Sequence, residues 1–346
     1  MRSRIPTLAA LLGVQVVVAG ALMLHHDALS TTPPDAPFLT KAIGTADRIL
    51  IDGPAKPGQS TAAPVELLER NGTWVVHSAY DVPASKARIS ALIRQFGGLR
   101  RGLPIANTND ARARFEVAAD RYARRIRFDR DGSAIATVYV GESAGLRKSY
   151  GRAAGDRAIY ALGVATYRLP VTSGAWIDAQ LLQIPADEIA EIDVRGPRGT
   201  GVTLARTVTG KQAPGPWHAT GLAPGRSLDD AKAGALTRAI DELRVDDVLG
   251  EHVSPQWGTD EPQATLTIRR QGGTSVTWTL SKPKTGDRFV LKSSSEPWYF
   301  SIDAATAQPL LDAAAPQGLA AAPSHPAARH PVPRRAHAAH TDAHAN

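Results

Sequence analysis

The sequence predicts an α+β fold of two tandem β-β-α-β-β-β-β repeats, with antiparallel sheets that each pack a helix, after one N-terminal transmembrane helix. Three observations lead to this prediction. Short alternating apolar runs, typical of strands, recur along the middle of the 346-residue chain. An apolar stripe at helical spacing interrupts them twice. Corresponding elements lie 139 to 144 residues apart, and so steady an offset indicates an internal duplication.

Residues 1–26 are predicted to be a membrane anchor. No charged residue occurs in residues 7–24, and a helix of that length rises about 27 Å, enough to span a bilayer core. Arg2 and Arg4 precede the run, which predicts a single-pass inner-membrane protein whose bulk is periplasmic. Ala19-Gly20-Ala21 also has the small-x-small form of a peptidase site, so a cleaved signal sequence is the alternative.

The rest of the chain divides where its composition changes. A proline-containing linker is predicted at residues 27–45, repeat domain 1 at 46–184 and repeat domain 2 at 185–315, each with its own core. Residues 316–346 are rich in Ala, Pro and His, lack apolar periodicity and are predicted to be disordered. The histidines of this tail lack the fixed surroundings that a metal site needs. Because the chain has no cysteine, packing alone must hold the repeats together.

Each repeat is predicted to open with two strands and a tryptophan. The predicted strand pairs are 46–51 with 65–69 and 189–194 with 202–206. Trp74 and Trp217 follow them, each two residues after a glycine and 143 residues apart. Their matched positions favour a role as core anchors over a platform on which sugars stack.

One helix is predicted in each repeat, beginning near Ser85 and near Ser227. Ser227 is followed by Asp230 in a pattern that resembles a capping box, in which the serine accepts from unpaired amides of the first turn. The apolar stripes of the two helices superpose at an offset of 144 residues. The matched positions are Leu92, Phe96 and Leu99 in the first helix and Leu236, Ile240 and Leu243 in the second.

A four-strand meander is predicted after each helix. Asp131-Gly132 and Gly272-Gly273 separate alternating runs and are hairpin signals, because these residues tolerate positive φ angles. The predicted strands are 125–128, 135–140, 148–152 and 158–162 in the first repeat and 265–268, 276–280, 288–292 and 298–302 in the second.

A series of short motifs runs through the first repeat. They are Ala46-Asp47-Arg48-Ile49, Gly72-Thr73-Trp74, Tyr139-Val140-Gly141, Arg147…Tyr150…Arg152 and Trp176-Ile177-Asp178. In this order they resemble the family called domain of unknown function 4340, over residues 46–315. The resemblance implies a protein held by one N-terminal helix and often encoded beside ABC transporters of the gliding-motility auxiliary type. It supplies no catalytic residues, and the second repeat departs from the first by lacking its glycine-rich hairpin.

One segment matches a catalytic motif. Gly141-Glu142-Ser143-Ala144-Gly145 has the G-x-S-x-G form of a nucleophile elbow, which requires a strand before the serine and a helix after it. Here a strand is predicted after it, and His218 and His252 lack a supporting context. Phosphate-loop, dinucleotide and H-E-x-x-H motifs are absent from the sequence. We therefore expect no enzyme, no cofactor and no metal, with a serine hydrolase at Ser143 as a remote alternative.

The basic residues concentrate in one segment. Residues 94–130 carry ten arginines against four acidic residues, whereas the whole chain has a net charge of +7. Arginine favours forked contacts with carboxylate or phosphate, so we predict a surface for an anionic partner, with an ordinary solvated face as the alternative. The residues of this predicted surface are Arg100, Arg101, Arg112, Arg114, Arg121, Arg124, Arg125 and Arg127.

The sequence thus predicts a non-enzymatic, membrane-anchored periplasmic protein. The resemblance implies an accessory subunit of an envelope ABC-transport system, with inner-membrane transporter subunits as partners. The alternative is a stand-alone module that binds a glycan or anionic lipid. Nucleic acid is not expected as a partner, because the predicted compartment contains none.

Overall fold

The computed structural model describes residues 35–60, 62–199, 201–208 and 214–322, and the isolated Gln15. These residues form an α+β structure of two antiparallel sheets with few helices, which confirms the predicted class. Apart from Gln15, the predicted anchor at residues 7–24 lies outside the described part of the chain, as do residues 323–346. Within the described ranges, no helix is both long and apolar enough to cross a membrane.

The first sheet has eight antiparallel strands. They are β1 (Arg48–Asp52), β2 (Val65–Arg70), β3 (Thr73–Val76), β4 (Val82–Pro83), β5 (Arg124–Arg130), β6 (Ser133–Gly145), β7 (Lys148–Ala153) and β8 (Tyr160–Leu162). Their order across the sheet is β4-β3-β2-β1-β5-β6-β7-β8. On the inner face, Ile49 and Ile51 of β1 lie beside Phe128 and Ile126 of β5, and all four are fully buried. The alternation read from the sequence therefore points one set of side chains to the core.

Helix α1 (Lys86–Gly97) covers this inner face. It begins one residue after Ser85, near which its start was predicted. Ile89, Leu92 and Phe96, spaced three and four residues apart, are buried on one side of the helix. The Phe96 ring centre lies 5.7 Å from that of Phe128, so the helix packs directly on β5.

The outer face of the first sheet is covered by residues 98–123, which we call the cover. The cover contains the short helix α2 (Asn109–Arg114), whose first turn begins at Thr108, where Oγ1 accepts from the amide of Ala111 at 3.2 Å. Cover and sheet enclose a second, smaller apolar cluster. Its buried members are Ala55, Val117, Tyr122, Tyr139 and Ile159. Both faces of the first sheet are thus packed.

The second sheet also has eight antiparallel strands. They are β9 (Ile189–Arg195), β10 (Gly201–Ala205), β11 (His218–Thr220), β12 (Asp247–Gly250), β13 (Ala264–Arg270), β14 (Ser275–Ser281), β15 (Phe289–Ser293) and β16 (Tyr299–Ile302). Their order is β11-β10-β9-β13-β14-β15-β16-β12. Helices α3 (Asp230–Asp241) and α4 (Ala304–Ala314) contact each other, and α4 packs on β9 and β13.

The predicted β-β-α-β-β-β-β unit needs a correction at its edges. The tryptophan-containing segments taken as turns lead into the strands β3 and β11, so four strands of the first sheet precede α1 and three strands of the second sheet precede α3. Strands β4 and β12 add a further edge to each sheet. All four are four residues or shorter, so alternation is hard to recognise in them. They form because a neighbouring strand offers backbone groups that need partners.

The buried apolar residues of both sheets form one continuous cluster in the described structure, rather than the separate cores expected. The connection after β8 makes the junction, and it contains the 3₁₀ helix Ser173–Trp176. On one side, the amide of Ser85 donates to the carbonyl of Trp176 at 2.8 Å. On the other, the amide of Val245 donates to the carbonyl of Ala179 at 3.3 Å. The two sheets therefore share packing across this segment.

The tryptophans at the centre of the core are not the predicted pair. Trp74 and Trp217 are half-buried and pack against the margin of the core. Trp176 and Trp278 are fully buried instead. The reason is position, because Trp74 lies in β3, next to the two-residue edge strand β4, and Trp217 directly precedes the edge strand β11. One side of each indole stays accessible there. Arg206 lies 4.3 Å from the centre of the Trp217 ring.

Packing extends beyond the predicted limits at residues 46 and 315. Phe38 and Ile43, within the predicted linker, are buried against the first sheet. Leu319 and Ala320, within the predicted tail, are buried beside α3, and the carbonyl of Leu319 accepts from the amide of Asp229 at 2.9 Å. These segments lack strand or helix periodicity, so the sequence alone did not reveal that they are packed.

The cap of α3 also differs from the prediction. The helix begins after Asp229, whose Oδ1 accepts from the amides of Ala231 and Lys232 at 3.0 and 3.3 Å. Ser227 lies two residues before this cap and makes no side-chain cap in the described structure. The predicted pairing of Ser227 with Asp230 is therefore wrong. An aspartate next to the first turn also matches the helix dipole, which explains why it takes this position.

We expect Asp229→Ala to lower the free energy of unfolding by about 1 kcal/mol, the usual cost of losing an N-cap. Ser227→Ala should change it by less than about 0.5 kcal/mol, as for other exposed sites. Urea denaturation of both variants would measure the difference. Equal losses from the two substitutions would favour the capping box instead.

Candidate anion-binding cleft

Two arginines of the predicted surface are occupied in ion pairs on the outer face of the first sheet. Arg125 makes a two-point contact with Asp52, at 3.0 and 2.9 Å. This hydrogen bonding raises the pKa of Arg125 against the opposing effect of burial. Arg127 contacts both carboxylate oxygens of Asp129 at 2.8 to 3.1 Å. Both guanidinium groups are thus used in ion pairs within the sheet.

A buried carboxylate explains part of this concentration of arginine. Asp129 is fully buried, and a carboxylate in that position needs ionic or hydrogen-bonded partners. Besides Arg127, the guanidinium of Arg48 lies 3.7 Å from it. Arg48 in turn pairs with Glu66 at 2.7 Å. The ion pairs form a ladder across β2, β1 and β5.

Two more of the predicted arginines are tied to backbone carbonyls. Arg124 donates to the carbonyls of Leu169 and Ala123 at 2.9 and 2.7 Å, and burial lowers its pKa. Arg101 pairs with Asp156 at 3.2 Å and also donates to a carbonyl of the N-terminal segment. These side chains hold the cover and its neighbours in place.

Three of the predicted arginines are exposed. Arg100, Arg114 and Arg121 make no side-chain hydrogen bond or ion pair with the described part of the chain, although Arg114 lies 5.7 Å from the Phe115 ring. Among the described residues, they are the exposed members of the predicted surface. The structure therefore does not form one continuous arginine surface from the eight residues.

The eighth residue, Arg112, belongs to a cleft of about 540 Å³. The cleft opens between the cover and the connection from β7 to β8. Its polar lining comes from three separate segments. These polar residues are Asn109, Arg112, Asp120, Arg152, Asp156 and Arg157. The fold thus brings Arg112 together with two arginines that the predicted surface did not include.

Arg152 forms the floor of the cleft and is only 6% exposed. Its Nε donates to the carbonyl of Val117 at 2.8 Å, and Nη1 donates to that of Asp156 at 3.1 Å. The guanidinium lies 4.7 Å from the centre of the Tyr139 ring. Nη2 has no hydrogen-bond partner in the described structure. Burial lowers the pKa of Arg152, and the positive charge of Arg112 lowers it further.

Arg112 and Arg157 form the walls. Arg112 donates from Nη1 to Asn109 at 3.0 Å and from Nη2 to the carbonyl of Arg157 at 3.4 Å. Its Nε is buried and has no hydrogen-bond partner among the described residues. The Arg157 side chain is exposed and makes no contact of this kind there. The cleft therefore presents N–H groups from three guanidiniums that are still available.

The acidic residues of the cleft offset this charge only in part. Asp156 directs one carboxylate oxygen to Arg101, and the other accepts from the amide of Ala158 at 3.0 Å. Asp120 is exposed at the rim and has no ion pair in the described ranges. Like charges placed together in a partly buried site favour a negatively charged ligand.

Sequence reasoning missed Arg152 and Arg157, although one signal was present. Tyr139 on β6 pairs with Arg152 on β7, so both side chains lie on the outer face. When a strand carries an arginine beside a tyrosine on the face away from the main core, the pair indicates that another part of the chain covers that face. Arg157 lies in a connection without periodicity, and no pattern marked it.

The structure places Ser143 in a hairpin. It lies near the end of β6, and its Oγ contacts the carbonyl of Gly145 at 3.2 Å. Strand β7 follows at Lys148, where a nucleophile elbow would have a helix. His218 belongs to β11 in the second sheet. The motif is thus a strand connection, as the alternating pattern indicated.

A family model described as Domain of unknown function (DUF4340) matches residues 74–269, more than half of the chain. The chain belongs to the DUF4340 family. In this DUF4340 protein the match runs from β3 into β13 and includes all three arginines of the cleft. It confirms the family that the motifs of the first repeat resembled. No curated protein and no solved structure matches the chain.

Proposed function

We propose that this DUF4340 protein is a non-catalytic, single-pass periplasmic subunit that accompanies an envelope ABC transporter of the gliding-motility auxiliary type. The observation that carries the proposal is family membership in a chain that also begins with an uncharged apolar run at residues 7–24. The position of Ser143 supports a non-catalytic role, because its Oγ is hydrogen-bonded to Gly145 of the same hairpin and has no hydrogen bond to a basic side chain in the described part of the chain.

We also infer that the two sheets arose by duplication. Seven strands of each sheet follow the same order across the sheet, β3-β2-β1-β5-β6-β7-β8 in the first and β11-β10-β9-β13-β14-β15-β16 in the second. In both repeats the chain forms a helix after the first three of these seven strands and before the central hairpin, which is β5–β6 or β13–β14. The central registers agree as well. Ile49 faces Phe128 and Ile192 faces Ile268, while the neighbouring outer pair Arg48–Asp129 corresponds to Glu191–Arg269 with the charges exchanged.

Divergence after the duplication would explain why the segment that covers the first sheet has a different structure in the second. In the first sheet, the segment between α1 and β5 becomes the cover. In the second, the segment between α3 and β13 supplies β12, which pairs with β16 at the sheet edge. The segment between the helix and the central hairpin therefore has a different structural role in each repeat. We propose that the first sheet carries the binding function and that the second completes the shared core.

We expect the full chain to stay in the membrane fraction after alkaline washing. It should also copurify, after gentle solubilisation, with both the ATPase and the membrane subunits of one ABC transporter. The matched control replaces residues 1–26 by a cleavable signal sequence, which should release the protein to the soluble fraction. Release of the unaltered chain with a new N-terminus at Leu22 would contradict the anchor.

The second candidate is a stand-alone module that binds a glycan or anionic lipid, and the basic cleft favours it. Binding that is fully retained by protein purified away from every transporter subunit, together with failure to copurify any of them, would support this function over the first. Mass spectrometry of the captured subunits separates the two outcomes.

A further inference from the structure

We infer that the cleft formed by Arg112, Arg152 and Arg157 is a binding site for a phosphate-bearing ligand. Neither membership in the family nor the proposed association with a transporter assigns a ligand to this cleft. Its three arginines come from α2, from β7 and from the β7–β8 connection, so only the folded first sheet brings them together.

The first reason is an unbalanced charge. Arg152 is nine-tenths buried and lies against an aromatic ring, with Arg112 close enough to lower its pKa. Keeping two guanidiniums together in a partly desolvated place costs free energy unless an anion shares it. The carboxylate of Asp156 acts in the opposite direction and raises the pKa of Arg152, but it is shared with Arg101, whose Nη1 lies 3.2 Å from its Oδ2.

The second reason is the set of unused donors. Nη2 of Arg152 makes no hydrogen bond within the described residues but is not fully buried, whereas Nε of Arg112 is buried and has no partner there. The cleft also holds one buried acceptor without a hydrogen bond in that part of the chain, Oδ2 of Asp156, which lies beside Arg101. A buried N–H without a partner is uncommon in folded proteins, and a bound ligand is one of its ordinary explanations. Their remaining N–H groups are held by Val117, Asn109 and backbone carbonyls, so the guanidinium planes are fixed before a ligand arrives.

The third reason is geometry, which favours phosphate over carboxylate. One guanidinium fork satisfies a planar carboxylate, whereas a tetrahedral phosphate has oxygens for donors from several directions. The cleft offers donors from its floor and two walls. A volume of about 540 Å³ is larger than a phosphate ion needs, which leaves room for the organic group of a phosphate ester. Two sources share this chemistry, a soluble phosphate ester and the headgroup of an acidic phospholipid.

The test uses the purified full chain and single substitutions at the walls and rim. Arg157 is exposed, so Arg157→Gln should not disturb folding, and Arg112→Gln removes the buried unused donor. Calorimetry with glycerol phosphate and with inorganic phosphate measures the soluble source. Flotation with phosphatidylcholine vesicles, with or without phosphatidic acid, measures the lipid source. Thermal melting of each variant verifies that it is folded.

We expect both substitutions to weaken binding at least about tenfold, because a lost hydrogen bond to a charged group corresponds to that factor. Asp120→Asn should strengthen binding, since it removes the negative charge at the rim. Arg121→Gln is the matched control, because Arg121 is equally exposed in the same segment but outside the cleft. It should change affinity less than about twofold.

The calorimetry and the vesicle flotation together identify the source of the phosphate group. Saturable binding of glycerol phosphate in solution would assign the site to a soluble ester, and flotation that depends on phosphatidic acid would assign it to a lipid. Equal weakening by Arg121→Gln would overturn the inference in favour of diffuse surface attraction. So would tighter binding of citrate than of phosphate, or the lack of saturable binding in both arms. These assays contain no transporter, so their failure leaves the proposed association untouched.

Discussion

Gly141→Ala is expected to lower the free energy of unfolding by at least about 3 kcal/mol, a large effect for one methyl group. A Cβ at this position would lie 1.8 Å from the carbonyl oxygen of Phe115 and 2.8 Å from that of Glu116. Both atoms belong to the backbone of the cover, which crosses β6 here and is held by a bond from the amide of Glu142 to Phe115. Neither can move without lifting the cover from the sheet.

The sign of the change in unfolding free energy distinguishes this close contact from the usual effect of replacing glycine by alanine. In an extended segment with free space, replacing glycine by alanine stabilises slightly, by up to about 1 kcal/mol. Gly163 provides that control, because a Cβ there would meet no atom within 4 Å and its φ angle is not positive. Chemical denaturation of Gly141→Ala and Gly163→Ala should therefore give changes of opposite sign. A neutral Gly141→Ala would mean that the cover does not touch β6.

Gly141→Ala should also damage the cleft. Arg152 is held through the carbonyl of Val117, two residues from the displaced carbonyl of Phe115. A shifted cover would release this guanidinium, and phosphate binding should weaken even at temperatures where the variant remains folded. This gives the first residue of the Gly141–Gly145 motif a structural role, in which glycine is required by the close approach of another chain segment.

Trp176→Ala is expected to destabilise the whole protein by about 3–5 kcal/mol. The indole is 2% exposed, and its Nε1 donates to the carbonyl of Pro170 at 3.0 Å. It lies in the segment that joins the sheets, beside Ala84 and the strand bridge to Ile177. Truncation leaves a cavity and an unpaired carbonyl, and both costs fall on packing that the two sheets share.

Calorimetry would show how far this sharing extends. Because the apolar cluster is continuous, we expect one cooperative transition that moves as a unit in Trp176→Ala. Trp74→Ala serves as the comparison and should shift the same transition less, since that ring is half-buried. Two transitions, of which Trp176→Ala moves only one, would support the independent domains that the sequence analysis predicted.

Much of the local structure follows from patterns of a few residues. The hairpin signals were correct, since Asp131 and Gly132 have φ angles of 50° and 75° and Gly273 has 81°. The helical stripe containing Leu92 was also correct, because spacing determines which residues share a side of a helix. Such patterns depend only on neighbours along the chain, so they can be recognised without the fold.

The position of the cleft could not be predicted, because the residues that form it and the carboxylates that pair with other arginines are distant along the chain. Eight arginines clustered in the sequence looked like one surface, yet Arg125 and Arg127 turned out to be paired within the sheet. The donors that remain available come from Arg112, which was predicted, and from Arg152 and Arg157, which were not. Sequence proximity predicted charge density correctly but did not reveal where the compensating carboxylates lie.

Periodicity alone was enough to place most strands, both main helices and the two hairpin turns, and short motifs were enough to indicate the family. Which face of the first sheet is covered, which tryptophan is central and which arginine is buried depended on tertiary contacts. The physical reason is that alternation assigns side chains to faces but leaves open what covers each face. Residues 98–123 cover the outer face, so the same strand pattern that buries Ile126 on one side also buries Arg152 on the other.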